Sequence, residues 1–352
     1  MTYIDEIVGK IEAMDFDAAL ELIEEHRAEH ELEPEFISVQ AMLCIMVEEY
    51  ETACELLQNG INRHPKNADL MYNLGYVYQK MDKKSHALRH YKKAIKLSDD
   101  EAFITELELL CADIKSANEP ENKKKICFIS CVNDEDQYKE MLSFINKLII
   151  PDGYQVECLP IRNASSMTEG YNKAMSESDA KYKVYLHQDV HILNKRFIFD
   201  ILDIFQSDEE IGVIGMVGSK RVPPSCVWWD DPEKLGCLFD MLIGEKKLYR
   251  YGSMTTKYET ASIVDGLLIA TQYDIEWRDD LFNGWHFYDC SQCCEFRRQD
   301  YKVVIAGQLD ENNSPTPWCL HNSIRPSLDN FGIYLEVFRK EYWDMLDFSI
   351  SL

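Results

Sequence analysis

Apolar positions in the first third of the chain recur at helical spacing, and the pattern repeats. Ala19, Ala53 and Ala87 lie 34 residues apart, with Ile23, Leu57 and Tyr91 at the same interval, then His26, Gly60 and Ala94. A small residue, an apolar one four later and a small one three later mark one helix face. Small residues let two antiparallel helices approach closely. The clearest copy is NADLMYNLGYVYQKMDKKSHALRHYKKAIKLSDD (67–100). Copy two keeps Ala53 and Pro65 but has Gln40-Ala41 in place of Leu74-Gly75, and copy one is the weakest. Glu101–Ser116 continues the periodicity and predicts a closing helix, because helical arrays need polar-faced ends to stay soluble.

The pattern changes after a polar, Pro-containing stretch. Residues 118–125 predict a linker between a helical domain, 1–117, and a second domain, 126–352. Short apolar runs then alternate with helical stretches: ICFIS, EDQYKEMLSFINKL, YQVECLPI, MTEGYNKAMSES, YKVYL. Such alternation predicts an α/β sheet with crossover helices. The end of the chain, from about Ser327 to Phe348, predicts a single helix whose aromatics pack the core.

Composition narrows the partners. The 352 residues suit two domains, and 46% hydrophobic content can fill two cores. A formal net charge of −25 argues against nucleic acid and anionic lipid, both of which attract basic surfaces. No apolar run reaches the roughly 18–20 residues needed to span a bilayer. The acidic, amphipathic start is unlike a signal peptide. Twelve cysteines without a disulfide framework read as reduced thiols of a cytoplasmic protein. Cys290, Cys293 and Cys294 contain a CxxC spacing but lack the second pair of a zinc site, so they read as helix packing.

Candidate chemistry begins at YKVYLHQDV (182–190). The apolar run reads as a buried strand that delivers His187 and Asp189 at its carboxyl end, where open α/β sheets bind ligands. A carboxylate there can hold a divalent cation against a diphosphate. Alone, Asp189 reads as well as a turn cap. Trp285, Asp289 and, after a Pro-rich loop, His321 keep it company.

The blocks KICFISCVNDEDQY (125–138), SSMTEGYNKAM (165–175), YKVYLHQDV, IGVIGMVGS (211–219), VWWD (227–230), VDGLLIAT (264–271), WHFYD (285–289) and LHNS (320–323) occur in an order that resembles the GT-A type glycosyltransferases. The resemblance is to a bacterial, family-2-like branch and spans about Lys124 to Arg325. The 34-residue period with Leu74-Gly75, Tyr78, Ala87, Tyr91 and Ala94 resembles the tetratricopeptide repeat.

The resemblance implies a Rossmann-like α/β domain that binds a nucleotide sugar, most simply UDP-linked, and transfers the sugar with inversion. It implies Mn²⁺ or Mg²⁺ as cofactor, held by Asp189 with His321. Relatives carry Asp-x-Asp, and His187 replaces the first Asp. It reads as a partner to a metal ligand, a phosphate donor or a satisfied buried histidine. Asp289 is the implied base for the acceptor hydroxyl, although the same Asp could cap the helix that follows. Cys131, Asn133, Asp134, Ser166, Asn172, Gln188, Asp265 and Trp285 are the implied donor-site residues, Asp265 toward sugar hydroxyls and Trp285 by stacking. Gly266 would allow close backbone approach. Of Trp228 and Trp229 only one can face inward. The repeats suggest a protein or peptide acceptor, or self-association into a homo-oligomer, with a saccharide or lipid-linked acceptor second. The missing first Asp also admits a catalytically silent adaptor.

Overall fold

The computed structural model describes residues 2–116, 122–242, 245–310, 312, 314–322 and 328–349. The chain divides into two compact units, Met1–Ala117 and Asn118–Leu352.

Among the described residues the first unit has seven helices: α1 (Tyr3–Glu12), α2 (Phe16–His30), α3 (Pro34–Met46), α4 (Tyr50–Arg63), α5 (Ala68–Lys80), α6 (Lys84–Leu97) and α7 (Glu101–Ser116). The periodic alanines Ala19, Ala53 and Ala87 are fully buried. Gly75 shows why small residues are needed, since a Cβ there would lie 2.7 Å from the Tyr91 ring. Leu107, Cys111 and Ile114 of α7 close the core around Tyr91.

The second unit opens with β1 (Asn122–Val132), α8 (Glu135–Ile145), β2 (Gln155–Arg162), α9 (Met167–Glu177), β3 (Ala180–Leu186), β4 (Val190–Ile192), α10 (Phe197–Ser207), β5 (Ile211–Gly215) and β6 (Val217–Ser219). It continues with β7 (Lys234–Leu242), β8 (Glu245–Tyr251), β9 (Tyr258–Ala261), β10 (Ile263–Val264), β11 (Leu268–Thr271), α11 (Tyr288–Arg298), β12 (Lys302–Ala306), β13 (Cys319–His321) and α12 (Phe331–Glu341). A main sheet runs β2-β1-β3-β11-β5-β12-β9, and a second runs β10-β6-β7-β13-β4 with β8 on β7. β1, β2 and β3 pair in parallel through crossover helices, while β11 enters antiparallel between β3 and β5. The inner strands β3, β11, β5 and β12 of the main sheet are buried almost throughout, as strands with helices on both faces are.

Three expectations are corrected. Residues 122–125 belong to β1, where Lys125 pairs with Gln155 of β2; of the expected linker, 118–121 lie outside the described residues. The last helix is shorter than expected. α12 ends at Glu341 and a 3-10 turn follows at Trp343–Met345; Ser323, Arg325 and Ser327 lie outside the described residues. The second sheet was not anticipated, because several of its strands have only two or three residues and cannot show an alternation. Among the described residues no helix is long and apolar enough to cross a membrane.

Candidate active site

The carboxyl end of β3 opens into a cleft of 810 Å³. Its walls come from the β3–β4 turn, the turn before β11, the start of α11, the Trp228 turn and α12. Apolar β3 stops at Leu186, and the backbone of His187 donates to Leu267 O (3.1 Å). The turn His187–Val190 then feeds β4, which pairs with β13 so that Val190 faces His321. Asn322 N donates to Asp189 O (2.9 Å). Two residues 132 positions apart in sequence are thus fixed side by side by strand pairing.

His187, Asp189 and His321 each bring a ligand atom to within 4.8 Å of the others. His321 Nε2 lies 3.5 Å from Asp189 Oδ1. Burial acts to raise the Asp189 carboxyl, but the hydrogen bond and charge of His321 outweigh it and hold it below the usual range. His321 moves the other way: burial works to lower it, and Asp189 raises it overall. His187 is pushed down, first by burial and then by the charge of His321. Two imidazoles and a carboxylate at this spacing are a donor set that a divalent cation can use.

Asp289 sits in the first turn of α11. Phe287, in the left-handed region at φ 60°, is the N-cap, and it packs on Phe331 and Phe338. Asp289 Oδ1 accepts from Cys290 N (2.8 Å) and Oδ2 from Gly266 N (2.9 Å). Burial first, and then the charge of Asp265, push its carboxyl up to about 7. A carboxylate poised near neutrality is suited to accept a proton. The expectation that Asp289 caps the helix is corrected, since the N-cap is Phe287 and Asp289 lies inside the helix as its second residue; its carboxylate instead ties the first turn of α11 to Gly266.

Asp265 accepts from Trp228 Nε1 (3.1 Å) and from Leu267 N (2.9 Å). Trp228 is buried and Trp229 is half-exposed on the cleft, so one ring faces in and one out. Trp285 is also half-exposed on the cleft. Cys131, Asn133 and Gln188 line it as well. Gln188 Oε1 accepts from Asn133 N (2.9 Å) and Asp134 N (3.0 Å), and its amide also meets the Asn133 side chain. Gln188 thereby holds the β1–α8 loop against the β3 turn.

Three expected donor-site residues are not in the cleft lining. Asp134 is the N-cap of α8, accepting from Asp136 N and Gln137 N. Ser166 is the buried N-cap of α9 and accepts from Glu169 N. Asn172 spans both backbone polar groups of Trp277, at 2.9 and 2.8 Å. Short polar side chains are good caps, and capping is what Asp134 and Ser166 do, whereas Asn172, within α9, ties the backbone of Trp277. Gly266 lines the cleft, and a Cβ there would lie 2.1 Å from the Tyr288 hydroxyl, so a glycine also makes room for a protein ring. Ser165 lines the cleft, whereas Tyr171 is buried against Tyr185 and Trp277.

The sequence reading missed Asn283, Phe331 and Tyr334, all in the cleft wall. Tyr334 donates to Asn283 Oδ1 (2.8 Å). Their signal was the aromatic pattern of the last helix, assigned to the core as a whole. Phe338 is buried there, but Phe331 and Tyr334, a turn or two earlier, face the cleft.

A family model described as "Glycosyltransferase like family" matches residues 127–342, and one described as "Tetratricopeptide repeat" matches 68–100. No curated protein matches. Among solved structures, an O-GlcNAc transferase variant of Thermobaculum terrenum aligns at 14% identity and TM-score 0.28, over 51% of this chain and 40% of its own. S. aureus TarS with UDP aligns at 13% and 0.38, over 63% and 66%. A mannosyltransferase of Pyrobaculum calidifontis with GDP-Man and Mn²⁺ aligns at 12% and 0.41, over 73% and 76%. The chain thus spans less than half the length of the first of these proteins.

Proposed function

Because residues 127–342 place the chain in the glycosyltransferase-like family, we propose that it moves a sugar from a nucleotide diphosphate sugar to an acceptor hydroxyl, with inversion. The second unit has the GT-A type of fold, and it follows a tetratricopeptide-like helical unit. The observation that carries the reading is the cleft. It unites a strand-end carboxylate and imidazole with a half-buried carboxylate poised near neutrality, and two half-exposed tryptophans.

Asp289 is the base. Its two backbone donors orient the carboxylate, and the raised proton affinity lets it take the acceptor proton as the hydroxyl attacks. Asp265, fixed by Trp228, faces the same space as Asp289 and is suited to bind sugar hydroxyls. Trp285 offers a ring face to a pyranose. Cys131, Asn133 and Gln188 border the nucleoside, and the thiol of Cys131 is pushed up to about 12 by burial, so it stays uncharged. Asp189 and His321 hold a divalent cation, which when bound compensates the charge of the leaving diphosphate. UDP is the proposed nucleotide, by family resemblance. The twelve free cysteines fit a reducing, cytoplasmic setting.

The test is calorimetry of UDP with Mn²⁺ and with EDTA. Tight binding is expected only with the ion, and Asp189→Ala should abolish that difference while the melting curve in EDTA stays two-state. Equal affinity in both buffers would remove the cation from the reaction.

The repeats are proposed to recruit a protein or peptide acceptor. A chain beginning at Asn118 is expected to hydrolyse the donor slowly and to lose transfer to the natural acceptor. Full transfer by the shortened chain would assign the repeats to self-association instead.

A further inference from the structure

His187 lines the cleft together with His286 and His321, and the proposed reaction has not yet used it. Its Nε2 lies 2.5 Å from the Tyr288 hydroxyl, and its ring centroid lies 5.6 Å from that of His321. The ligand atoms of His187, Asp189 and His321 fall within 4.8 Å of one another. Two ligand atoms on one ion stand roughly 3–4 Å apart, given metal–ligand bonds of about 2 Å. A small closure of this cluster lets one ion touch all three.

We propose that His187 is itself an ion ligand oriented by Tyr288, making a two-imidazole, one-carboxylate centre selective for transition-metal ions over Mg²⁺. The inference rests on the cation reading above and specifies the chemistry of that same site.

The ring is held for the task. Tyr288 is buried, with Tyr171 and Trp277 rings 6.0 and 6.1 Å away. The backbone of Gly266 closes behind its hydroxyl, where a Cβ would stand 2.1 Å away. The hydroxyl is therefore fixed, and it fixes Nε2 of His187. That leaves Nδ1 as the nitrogen free for an ion. Metal-bound histidines characteristically give their other ring nitrogen to a hydrogen-bond partner, which sets tautomer and orientation. A phosphate-donor role is a poorer fit, because the Nε2 tip of the ring is already engaged by protein.

The donor set then decides the ion. Mg²⁺ prefers oxygen ligands and near-ideal octahedral geometry, whereas imidazole nitrogens suit later divalent ions. Two histidines and one carboxylate leave open positions, the arrangement that non-haem Fe(II) sites use. Here all three side chains line the cleft, so an ion held by them would be open to the oxygens of a diphosphate. Exchanging an aspartate for His187 at the first position thus changes which ion the centre selects.

The experiment uses the full chain with UDP present. Mn²⁺ and Mg²⁺ affinities are measured by calorimetry for the parent, His187→Ala, His187→Asp, Tyr288→Phe and Asp189→Ala. Pulsed electron paramagnetic resonance on the Mn²⁺ form counts coordinated nitrogens. Two nitrogens are expected in the parent and one in His187→Asp, which should also narrow the preference for Mn²⁺ over Mg²⁺ about tenfold or more. Tyr288→Phe should weaken Mn²⁺ by about 10–100-fold, as loss of an outer partner does, while the count stays at two. One nitrogen in the parent overturns the proposal, and that result needs no variant to fold. Unchanged ion preference in both His187 variants also overturns it. Neither result touches the cation reading if Asp189→Ala still abolishes binding; absence of any ion binding by the parent sinks both.

Discussion

Asp289→Asn is expected to lower kcat by about 10²–10⁴-fold, the usual contribution of a positioned base, with donor affinity within a few-fold of the parent. A group that acts only as the proton moves is lost from kcat and leaves ground-state binding intact. Asparagine keeps the shape. It can still accept from one of the two backbone donors, Gly266 N or Cys290 N, so the structural cost is about one hydrogen bond, or roughly 1 kcal/mol. A purely structural role predicts unchanged turnover, and calorimetry with UDP beside single-turnover kinetics separates the two. Near-normal turnover would move the base role to Asp265, the other carboxylate beside it.

The same residue has a pH signature with a definite sign. Burial and Asp265 raise the Asp289 carboxyl to about 7. The rate of the parent should therefore fall about tenfold per pH unit below 7, because the protonated acid cannot accept a proton. Stability runs the opposite way. The folded state keeps the proton where the unfolded chain has already released it. The resulting stabilisation is fully present below about 4, the unfolded value, and is lost as pH rises through 7. Melting curves in EDTA between pH 4 and 8 should thus slope less in Asp289→Asn than in the parent. Parallel curves would show that Asp289 is ionised throughout, and the assignment of the rate limb to it would fall.

How much of this was legible depends on how local the cause is. The helical unit was readable because its repeat imposes contacts a few residues away: Ala87, Tyr91 and Ala94 share one face and bury together. The strand-end placement of Asp189 was readable because β3 ends in the apolar run Val184–Leu186, which is buried on both faces. Asp134, Ser166 and Asn172, expected at the donor, lie outside the cleft lining for a physical reason. A short polar side chain that satisfies a backbone N–H and one that meets a ribose look alike in sequence, and only the local hydrogen bonds tell them apart. The pairing of β13 with β4, which brings His321 to Asp189, spans 130 positions and uses three-residue strands. No periodicity records it, and only the ordered resemblance to known enzymes pointed to His321. The role of Tyr288 was invisible for a related reason, since its partners Gly266 and His187 come from two other turns.

The least legible feature has the second-largest expected effect. Arg278 and Glu295 are almost wholly buried, and nothing in the run CEFRRQ around Glu295 marks its side chain as interior. Arg278 forks onto Asp280 at 2.7 and 2.9 Å and reaches Glu295 at 3.3 Å and Glu341 at 3.1 Å. Arg298 meets Glu295 at 3.0 Å and Glu341 at 2.7 Å, and Tyr342 donates to Glu295 at 2.8 Å. The network fastens the end of α12 to the side of α11, two turns from Asp289. Arg278→Ala leaves the buried Glu295 carboxylate with Arg298 as its remaining cation, and breaking a buried pair in this way costs up to about 3–5 kcal/mol. For a unit of this size that is a fall of roughly 6–20 °C in melting temperature. Arg339→Ala is the control: its 2.5 Å pair with Glu336 joins a half-buried guanidinium to an exposed carboxylate, and pairs open to solvent contribute about 0–1 kcal/mol. Because Phe331 and Tyr334 of α12 wall the cleft, the folded fraction of Arg278→Ala should also show a raised KM, with kcat less affected. A melting temperature matching that of Arg339→Ala would mean that the remaining pairs close the gap, and the network would lose its assigned role in holding the cleft.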